Sequence, residues 1–290
     1  MTVISRRALI AAGIAAPFVS RVARAQNWPG TVRIVVPFPP GGTVDPVARL
    51  VQPTLQQRLG VNVIIENKPG ASGSLGAAHV AKSTPDGGTW LFVFDTHAVN
   101  PSLMNLTFDS DKDLDPVLLI GTAPNIIATH PSRPWKSITE MIATAKEKPD
   151  TVTYASVGVG SVGHLSMVVL GKRAGVRWTH VPYRGGGPAM NDAIAGHVDS
   201  IIGSAALVTN QLKADKLRGL AHTGAKPLKN VPSLVSVADS NYPGFETNAW
   251  WGVFAPAGTP PAMVDRFVME LTTALREEKT QRQLADTLQI

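Results

Sequence analysis

The chain has 290 residues with 27 Lys and Arg, 21 Asp and Glu and no cysteine, so its formal net charge is +6. The absence of cysteine excludes disulfides, a thiol nucleophile and a thiolate metal site. No basic run with interleaved aromatic residues occurs, which argues against a nucleic-acid partner.

The first 25 residues have the features of an export signal. Arg6 and Arg7 precede an apolar run over 8–19, and residues 23–25 read Ala-Arg-Ala, a small-x-small cleavage pattern. The run is shorter than the roughly 20 residues that span a bilayer. We therefore expect export to the periplasm by the Sec or the twin-arginine route, cleavage after Ala25 and a mature protein that is not embedded in a membrane. Without the signal's four arginines, 23 basic and 21 acidic residues remain, a net charge of +2.

Strands and helices alternate through the rest of the chain. Predicted strands cover 32–36, 61–65, 89–94, 117–120, 125–129, 151–155, 178–181, 198–202, 217–221 and 249–254. Predicted helices cover 46–59, 74–82, 137–146, 162–174, 187–195, 205–213, 261–276 and 278–288. This βαβ rhythm predicts an α/β fold with mainly parallel sheets covered by helices on both faces.

The loop 37–45 joins the first strand to an amphipathic helix. Its glycines let a ligand approach the backbone closely, and the start of a helix favours an anion because its N–H groups are free. We expect Thr43 or Asp45 to cap this helix. The loop is a candidate carboxylate cradle, with an ordinary strand-to-helix turn as the alternative. Its candidate ligand-binding residues are Phe38, Pro39, Gly41, Gly42, Thr43 and Asp45.

A second loop, 156–163, contains a literal G-x-G-x-x-G match after a predicted strand. The acid expected about 20 residues later is missing, which argues against a dinucleotide, and we predict no cofactor. Ser156, Gly160 and Ser161 instead offer donors to a small anion. Ser161 and His164 also lie on one helix face. They suggest either a ligand donor, a packing histidine or the nucleophile and base of an exported α/β hydrolase, although the G-x-S-x-G elbow is absent.

Two further loops repeat the strand–glycine–helix pattern. Loop 183–188 has three glycines and an arginine that can pair a carboxylate bidentately. Loop 67–74 is rich in glycine and serine, and residues 94–97 end a predicted strand with a hydroxyl and an imidazole. The histidines show no H-E-x-x-H or comparable spacing, so no metal site is predicted. The candidate ligand-binding residues here are Arg184, Gly185, Gly186, Ser72 and Thr96.

The unit at 32–59 has a counterpart at 151–174, each with a strand, a glycine loop and a helix. This duplication predicts two doubly wound domains whose glycine loops face one cleft, because ligands sit at the carboxyl ends of parallel strands. We expect domain 1 to comprise 26–124 plus 249–290, and domain 2 to comprise 125–248. Crossing segments near residues 124 and 249 would form a two-strand hinge.

Short motifs in a fixed order carry a family resemblance. They are I-V-V-P-F at 34–38, G-G-T-V-D at 41–45, E-N-K-P-G-A at 66–71, P-D-G at 85–87, H-A-V-N-P at 97–101, G-H-L at 163–165, V-P-Y-R-G-G-G-P-A-M at 181–190, N-A-W-W-G at 248–252 and P-A-G-T-P at 256–260. From about residue 30 onward the chain resembles the periplasmic solute receptors of tripartite tricarboxylate transporters, also called Bug-type receptors.

The resemblance implies a two-domain, periplasmic-binding-protein-like (Venus flytrap, type II) fold without catalysis. It implies a monomer that captures a small mono-, di- or tricarboxylate through main-chain N–H groups and water, and delivers it to inner-membrane transporter subunits. A ligand-sensing receptor for a membrane sensor is the alternative. Two features depart from the family's pattern. The chain ends at Ile290, before a further helical segment usual in the family, and stretch 200–206 lacks an acidic residue often seen there, so we expect little ligand contact from that loop.

Overall fold

The computed structural model of the protein describes residues 28–285. The predicted export signal over 1–25, with its cleavage after Ala25, lies outside these residues, as does the end of the last predicted helix. Within 28–285, no helix combines the length and the apolar character needed to cross a bilayer.

Nine strands and nine α-helices alternate along the described residues. The strands are β1 (Thr31–Val36), β2 (Asn62–Asn67), β3 (Thr89–Phe94), β4 (Leu114–Thr129), β5 (Thr153–Ser156), β6 (Thr179–Pro182), β7 (Ser200–Ser204), β8 (Arg218–His222) and β9 (Asn248–Pro256). The helices are α1 (Val44–Leu59), α2 (Ser74–Ala81), α3 (Thr96–Leu103), α4 (Ile138–Glu147), α5 (Val162–Ala174), α6 (Gly186–Ala195), α7 (Ala205–Lys213), α8 (Pro261–Arg276) and α9 (Glu278–Gln283). Short 3-10 turns lie at Ala71–Gly73 and Ala238–Ser240. The predicted α/β alternation is confirmed.

The strands join into one mixed sheet in the order β2-β1-β3-β9-β4-β7-β5-β6, with β8 also paired to β4. Strand β1 is parallel to β2 and β3, and β5 is parallel to β6 and β7. The long strands β9 and β4 run antiparallel to their neighbours. The two parallel groups form two halves linked by β4 and β9. We call the group with β1, β2 and β3 the first half and the group with β5, β6 and β7 the second half.

Strand β4 is longer than predicted. The segments 117–120 and 125–129 were predicted as separate strands, and this was wrong: one strand runs through both. Residues 114–124 pair with β9 across two register shifts, and residues 125–129 pair with β7 and β8. Pro124, which has no N–H to donate, lies where the partner changes. This change supports the domain boundary predicted near residue 124, which stays a prediction.

Helix α3 was not predicted. We interpreted residues 94–97 as the end of a strand, whereas β3 ends at Phe94 and α3 begins at Thr96. Pro101 lies inside this eight-residue helix, and an internal proline normally indicates a break. Thr96, His97 and Asn100 are buried on it, so tertiary packing overrides the weak local preference.

Separate apolar clusters fill the two halves. In the first half, Trp90 stacks on Phe267 with ring centroids 3.7 Å apart, and Ile34 is fully buried beside them. In the second half, Tyr154 and Met167 belong to a cluster built on β5 and α5. Burial of this apolar surface is the main stabilising contribution. It also fixes the carboxyl ends of the parallel strands, and the loops that leave those ends meet between the two halves.

Candidate ligand-binding site

A small cavity lies where these loops meet. Its lining comes from the ends of five strands and comprises Phe38, Gly42, Thr43 and Val44 after β1, Phe94 from β3, Val157 after β5, Gly185 and Gly186 after β6, and Ser204 and Leu207 from β7 and α7. Its volume is about 20 Å³, which is room for about one water. A Cβ built on Gly42 would lie 3.8 Å from the Gly186 nitrogen. The two halves thus close tightly here, and a larger ligand requires them to move apart.

Three helices begin at the cavity. Helix α1 follows Thr43, α6 follows Gly185 and α7 follows Ser204, and none of these three residues caps its helix with a side chain. The first N–H groups of a helix have no partner within the helix, and they carry a partial positive charge. Three such ends around one cavity favour an anion.

Ser204 carries a buried hydroxyl without a partner. The residue is 1% exposed, and its Oγ atom makes no hydrogen bond to any described residue. A buried hydroxyl without a partner costs free energy, which a ligand oxygen in the cavity would offset. We expected little contact from stretch 200–206, but the structure places this side chain in the lining. The signal available in the sequence was a serine between a predicted strand and a predicted helix.

No charged side chain of the described residues lines the cavity. Arg184, the predicted bidentate partner of a carboxylate, is exposed and is not part of the lining. From its loop, Gly185 and Gly186 line the cavity instead. Gly185 has a φ of +134°, which a residue with a side chain rarely adopts. An anion in this cavity would accept hydrogen bonds from helix N–H groups and hydroxyls, without a direct ion pair.

Side chains beside the cavity fix the loop after β1. The Trp251 indole N–H donates to Thr43 Oγ1 at 3.0 Å, so this hydroxyl holds the loop and does not cap α1 as we predicted. The buried Asp45 carboxylate accepts hydrogen bonds from Arg49 and Asn67, both at 2.9 Å. Asp45 is therefore a scaffold residue of the first helical turn, and it is absent from the cavity lining.

An open groove continues from the cavity towards solvent. Its volume is about 640 Å³, and Pro39 and Gly41 line it. Gly42, Thr43 and Leu207 border both the groove and the cavity. Phe38 lies on the cavity side, where its ring meets Phe94 edge-on at 6.4 Å. The candidate residues of loop 37–45 are thus divided between the cavity, the groove and the scaffold behind them.

Ser72 and Thr96 lie at the contact between the two halves, outside the lining. The Ser72 hydroxyl donates to the Val159 carbonyl of the second half at 3.0 Å. The Thr96 hydroxyl donates to the Ser72 carbonyl at 2.9 Å. The Ser72 bond thus joins the two halves, and the Thr96 bond, which lies within the first half, holds the Ser72 loop in place.

Ser161 and His164 are engaged with the backbone. The Ser161 hydroxyl donates to the Gly158 carbonyl at 2.9 Å and accepts from the His164 backbone N–H at 3.2 Å, so it caps α5. The imidazole Nδ1 of His164 accepts from the Gly160 N–H at 3.2 Å. Because the serine proton points to a carbonyl, this geometry gives the pair structural roles and does not support the hydrolase hypothesis.

Ser156 is buried behind this loop. Its hydroxyl lies 2.7 Å from His180 Nε2 and 3.0 Å from the Gly158 carbonyl oxygen. The His180 ring stacks on His164 with centroids 4.0 Å apart. Burial lowers the pKa of His164, and burial with the neighbouring His164 lowers the pKa of His180 to about 4. Both rings are therefore neutral near pH 7 and support the loop as a packed pair.

Comparison with known proteins agrees with this geometry. The profile of the tripartite tricarboxylate transporter family receptor, TctC, matches residues 47–289. The chain belongs to this family. Protein BugT of Bordetella pertussis is 34% identical over 92% of this chain and 82% of its own length.

Two solved structures resemble this TctC-family chain closely. A protein of R. palustris solved with adipate is 33% identical, has a TM-score of 0.85, and the match covers 90% of this chain and 88% of that one. MatC from Rhodopseudomonas palustris with bound malate is 32% identical, with a TM-score of 0.83 and coverage of 89% and 88%. The resemblance and the two-domain, periplasmic-binding-protein-like fold are confirmed. Receptors of this family are periplasmic solute-binding proteins, not enzymes.

This TctC-family receptor also buries a carboxyl group between its halves. Asp95 is 1% exposed, its Oδ1 accepts from the Val162 N–H of α5 at 3.2 Å, and its Oδ2 has no partner among the described residues. Burial raises the pKa of Asp95 to about 8, against the opposing effect of backbone N–H groups of Val162 and Thr96. The carboxyl group is thus mainly protonated at pH 7.

Proposed function

We propose that this chain is a receptor that binds a small dicarboxylate between its two halves and delivers it to the membrane subunits of a tripartite tricarboxylate-type transporter. The observation that carries the proposal is the convergence of three uncapped helix starts and the unpartnered Ser204 hydroxyl on one cavity. Such a set of fixed donors suits a carboxylate and needs no cationic side chain.

The rest of the lining suits the carbon chain of such an acid. Phe38, Phe94 and Val157 supply an apolar wall beside the donors. Burial of methylene groups against such a wall contributes about 0.8 kcal/mol each. The two related structures contain adipate and malate, and both ligands have two carboxylates. Dicarboxylates are therefore the first class to test.

Closure of the two halves accounts for capture and release. The cavity is too small for an acid to enter while the halves are in contact, so the ligand must enter an open form. An acid that contacts both halves at once stabilises the closed form, because a ligand shifts an equilibrium by its differential affinity for the two states. The hydrogen bonds from Ser72 to Val159 and from Val162 to Asp95 join the two halves and also stabilise the closed form. A membrane partner can then recognise closure.

Isothermal titration calorimetry on the protein purified after export tests the binding step. We expect saturable binding of one adipate or malate per chain, and much weaker binding of hexanediol, which has the length of adipate without its charges. The bound acid should also raise the melting temperature. A ligand that binds only the folded state, at a concentration a hundredfold above its Kd, raises the free energy of unfolding by about 2.7 kcal/mol. A folded protein that binds none of a panel of mono-, di- and tricarboxylates would contradict the proposal.

Membrane capture tests the delivery step. Receptor loaded with its acid should retain transporter subunits from membranes, and receptor without acid should retain fewer. Recovery of a membrane sensor in place of transporter subunits would favour the sensing alternative and would leave the binding site unchanged.

A further inference from the structure

Leu207, on the first turn of α7, forms a wall between the cavity and the groove. It borders both spaces, as do Gly42 and Thr43. Gly42 has no side chain, and the Thr43 hydroxyl is held by the Trp251 indole at 3.0 Å. The half-buried Leu207 side chain is the part of this shared border that can change its position or size.

Two glycines make room for the branched end of Leu207. A Cβ built on Gly186 would lie 3.0 Å from both methyl carbons of Leu207, and a Cβ built on Gly203 would lie 2.9 Å from one of them. Contacts this short are avoided in packed interiors. The leucine is therefore seated directly against the backbone at the start of α6 and near the end of β7, where it closes that side of the cavity.

The groove beyond Leu207 suits a longer carbon chain. Its volume is about 640 Å³, against about 20 Å³ for the cavity. Pro39, Met190 and Ile194 give it apolar walls, and the exposed Lys216 lies at its edge. Methylene groups gain from contact with the walls, and an ammonium group attracts a second carboxylate.

We propose that Leu207 sets the length of the dicarboxylate that this receptor accepts. The inference rests on the proposed function and adds its selectivity. The halves must move apart to admit any acid, since the cavity holds about one water. Acids short enough to lie on the cavity side of Leu207 are then bound, and longer acids meet the Leu207 side chain. Truncation of Leu207 to alanine joins the cavity to the groove, so the variant accepts acids longer by about three methylene groups, the size of the atoms removed.

Calorimetry with a series of linear dicarboxylates tests this inference. Succinate, adipate, suberate and sebacate are titrated into the exported wild-type protein, Leu207→Ala and the control Ile194→Ala, which alters the groove and leaves the cavity lining intact. We expect Leu207→Ala to bind the shortest acid that the wild type rejects at least tenfold more tightly than the wild type does, and its best-bound acid should be longer than that of the wild type. Ile194→Ala should accept the same longest acid as the wild type.

A second variant makes the test independent of how well the truncated protein folds. Leu207→Phe enlarges the wall and should shorten the longest accepted acid. The inference is overturned if folded Leu207→Ala and Leu207→Phe keep the wild-type length limit, or if the wild type binds the whole series equally well. If the wild type binds none of these four acids, the inference fails; if it also binds none of the wider panel of mono-, di- and tricarboxylates, the proposed function fails as well. That outcome differs from a receptor that binds acids with a limit insensitive to Leu207.

Discussion

Replacement of Asp95 by asparagine should remove a pH dependence of stability between about pH 6.5 and 8.5. Asparagine keeps the shape of the side chain and an oxygen that accepts from the Val162 N–H, which lies 3.2 Å from Asp95 Oδ1. It cannot lose a proton. The comparison therefore isolates the ionisation of one buried carboxyl group at the contact between the two halves.

The magnitude follows from the two pKa values of Asp95. Burial raises the pKa from 3.8 to about 8 in the folded protein, so the folded state binds more protons than the unfolded state between these values. Stability is therefore lost as the pH rises through the folded pKa. From pH 6.5 to 8.5 the loss is about 2 kcal/mol, which lowers the melting temperature by about 4–8 °C in a chain of this size. Burial lowers the pKa of His97 and His180 to about 4. In the unfolded state these imidazoles, and those of the other histidines whose pKa is lowered, are still about half protonated at pH 6.5, so their stabilising contribution rises slightly across the window. This contribution is the same in the wild type and in Asp95→Asn, so it cancels in the comparison.

Thermal unfolding followed by circular dichroism at constant ionic strength measures this effect. From pH 6.5 to 8.5 the melting temperature of the wild type should fall relative to that of Asp95→Asn by about 4–8 °C. Asp109→Asn is the control, because the pKa of this exposed carboxyl group is lowered by Lys112 and its titration ends far below the window. An equal pH slope in the wild type and Asp95→Asn would refute the reasoning.

The remaining predictions concern ligand affinity and are measured by calorimetry together with thermal unfolding. Ser204→Ala should weaken acid binding about tenfold or more without loss of stability, because its buried hydroxyl has no partner among the described residues. Ser200→Ala should instead lower the free energy of unfolding by about 1 kcal/mol and leave affinity unchanged, because its hydroxyl donates to the Thr153 carbonyl at 3.0 Å. The reverse pattern would contradict the site. Gly42→Val should abolish binding in a folded protein, because the added side chain enters the space beside the Gly186 nitrogen. Gly30→Val is the control and should bind as the wild type does, because a Cβ built on Gly30 has no neighbouring atom within 4 Å. A folded Gly42→Val with full affinity would exclude loop 37–45 as the carboxylate cradle. Arg184→Ala should change affinity by less than about twofold, since the side chain is exposed and outside the lining; a tenfold loss would restore the bidentate role.

The sequence predicted the elements with strong periodicity. The bounds of α7 and α8 coincide with the predicted helices 205–213 and 261–276, because their apolar positions follow the helical period without interruption. The sequence failed where local signals oppose tertiary structure. Helix α3 contains Pro101, and β4 contains Gly121 and Pro124 between its two predicted segments. In both places, packing and strand pairing outweigh the local preference for a break.

The sequence predicted which loops form the candidate site, but not which of their side chains face the cavity. Glycine loops after parallel strands indicate where a ligand binds, and Gly42, Gly185 and Gly186 do line the cavity. The direction of a side chain is not encoded in such a pattern. Arg184 has suitable chemistry but is exposed, and Leu207 reaches the cavity only because its helix begins there. The convergence of three helix starts is a property of the folded chain and has no local motif.

The most direct test of the central claim is to locate the bound acid. In nitrogen-15-labelled protein, titration with adipate should shift the backbone amide signals of Thr43, Gly186 and Ser204 most strongly, with one Kd equal to the calorimetric value. A separate surface groove of about 410 Å³, lined by Lys226 and Lys229, provides the contrast within the same spectrum. Saturable shifts centred on that groove, with unchanged signals around the cavity, would contradict the proposed site.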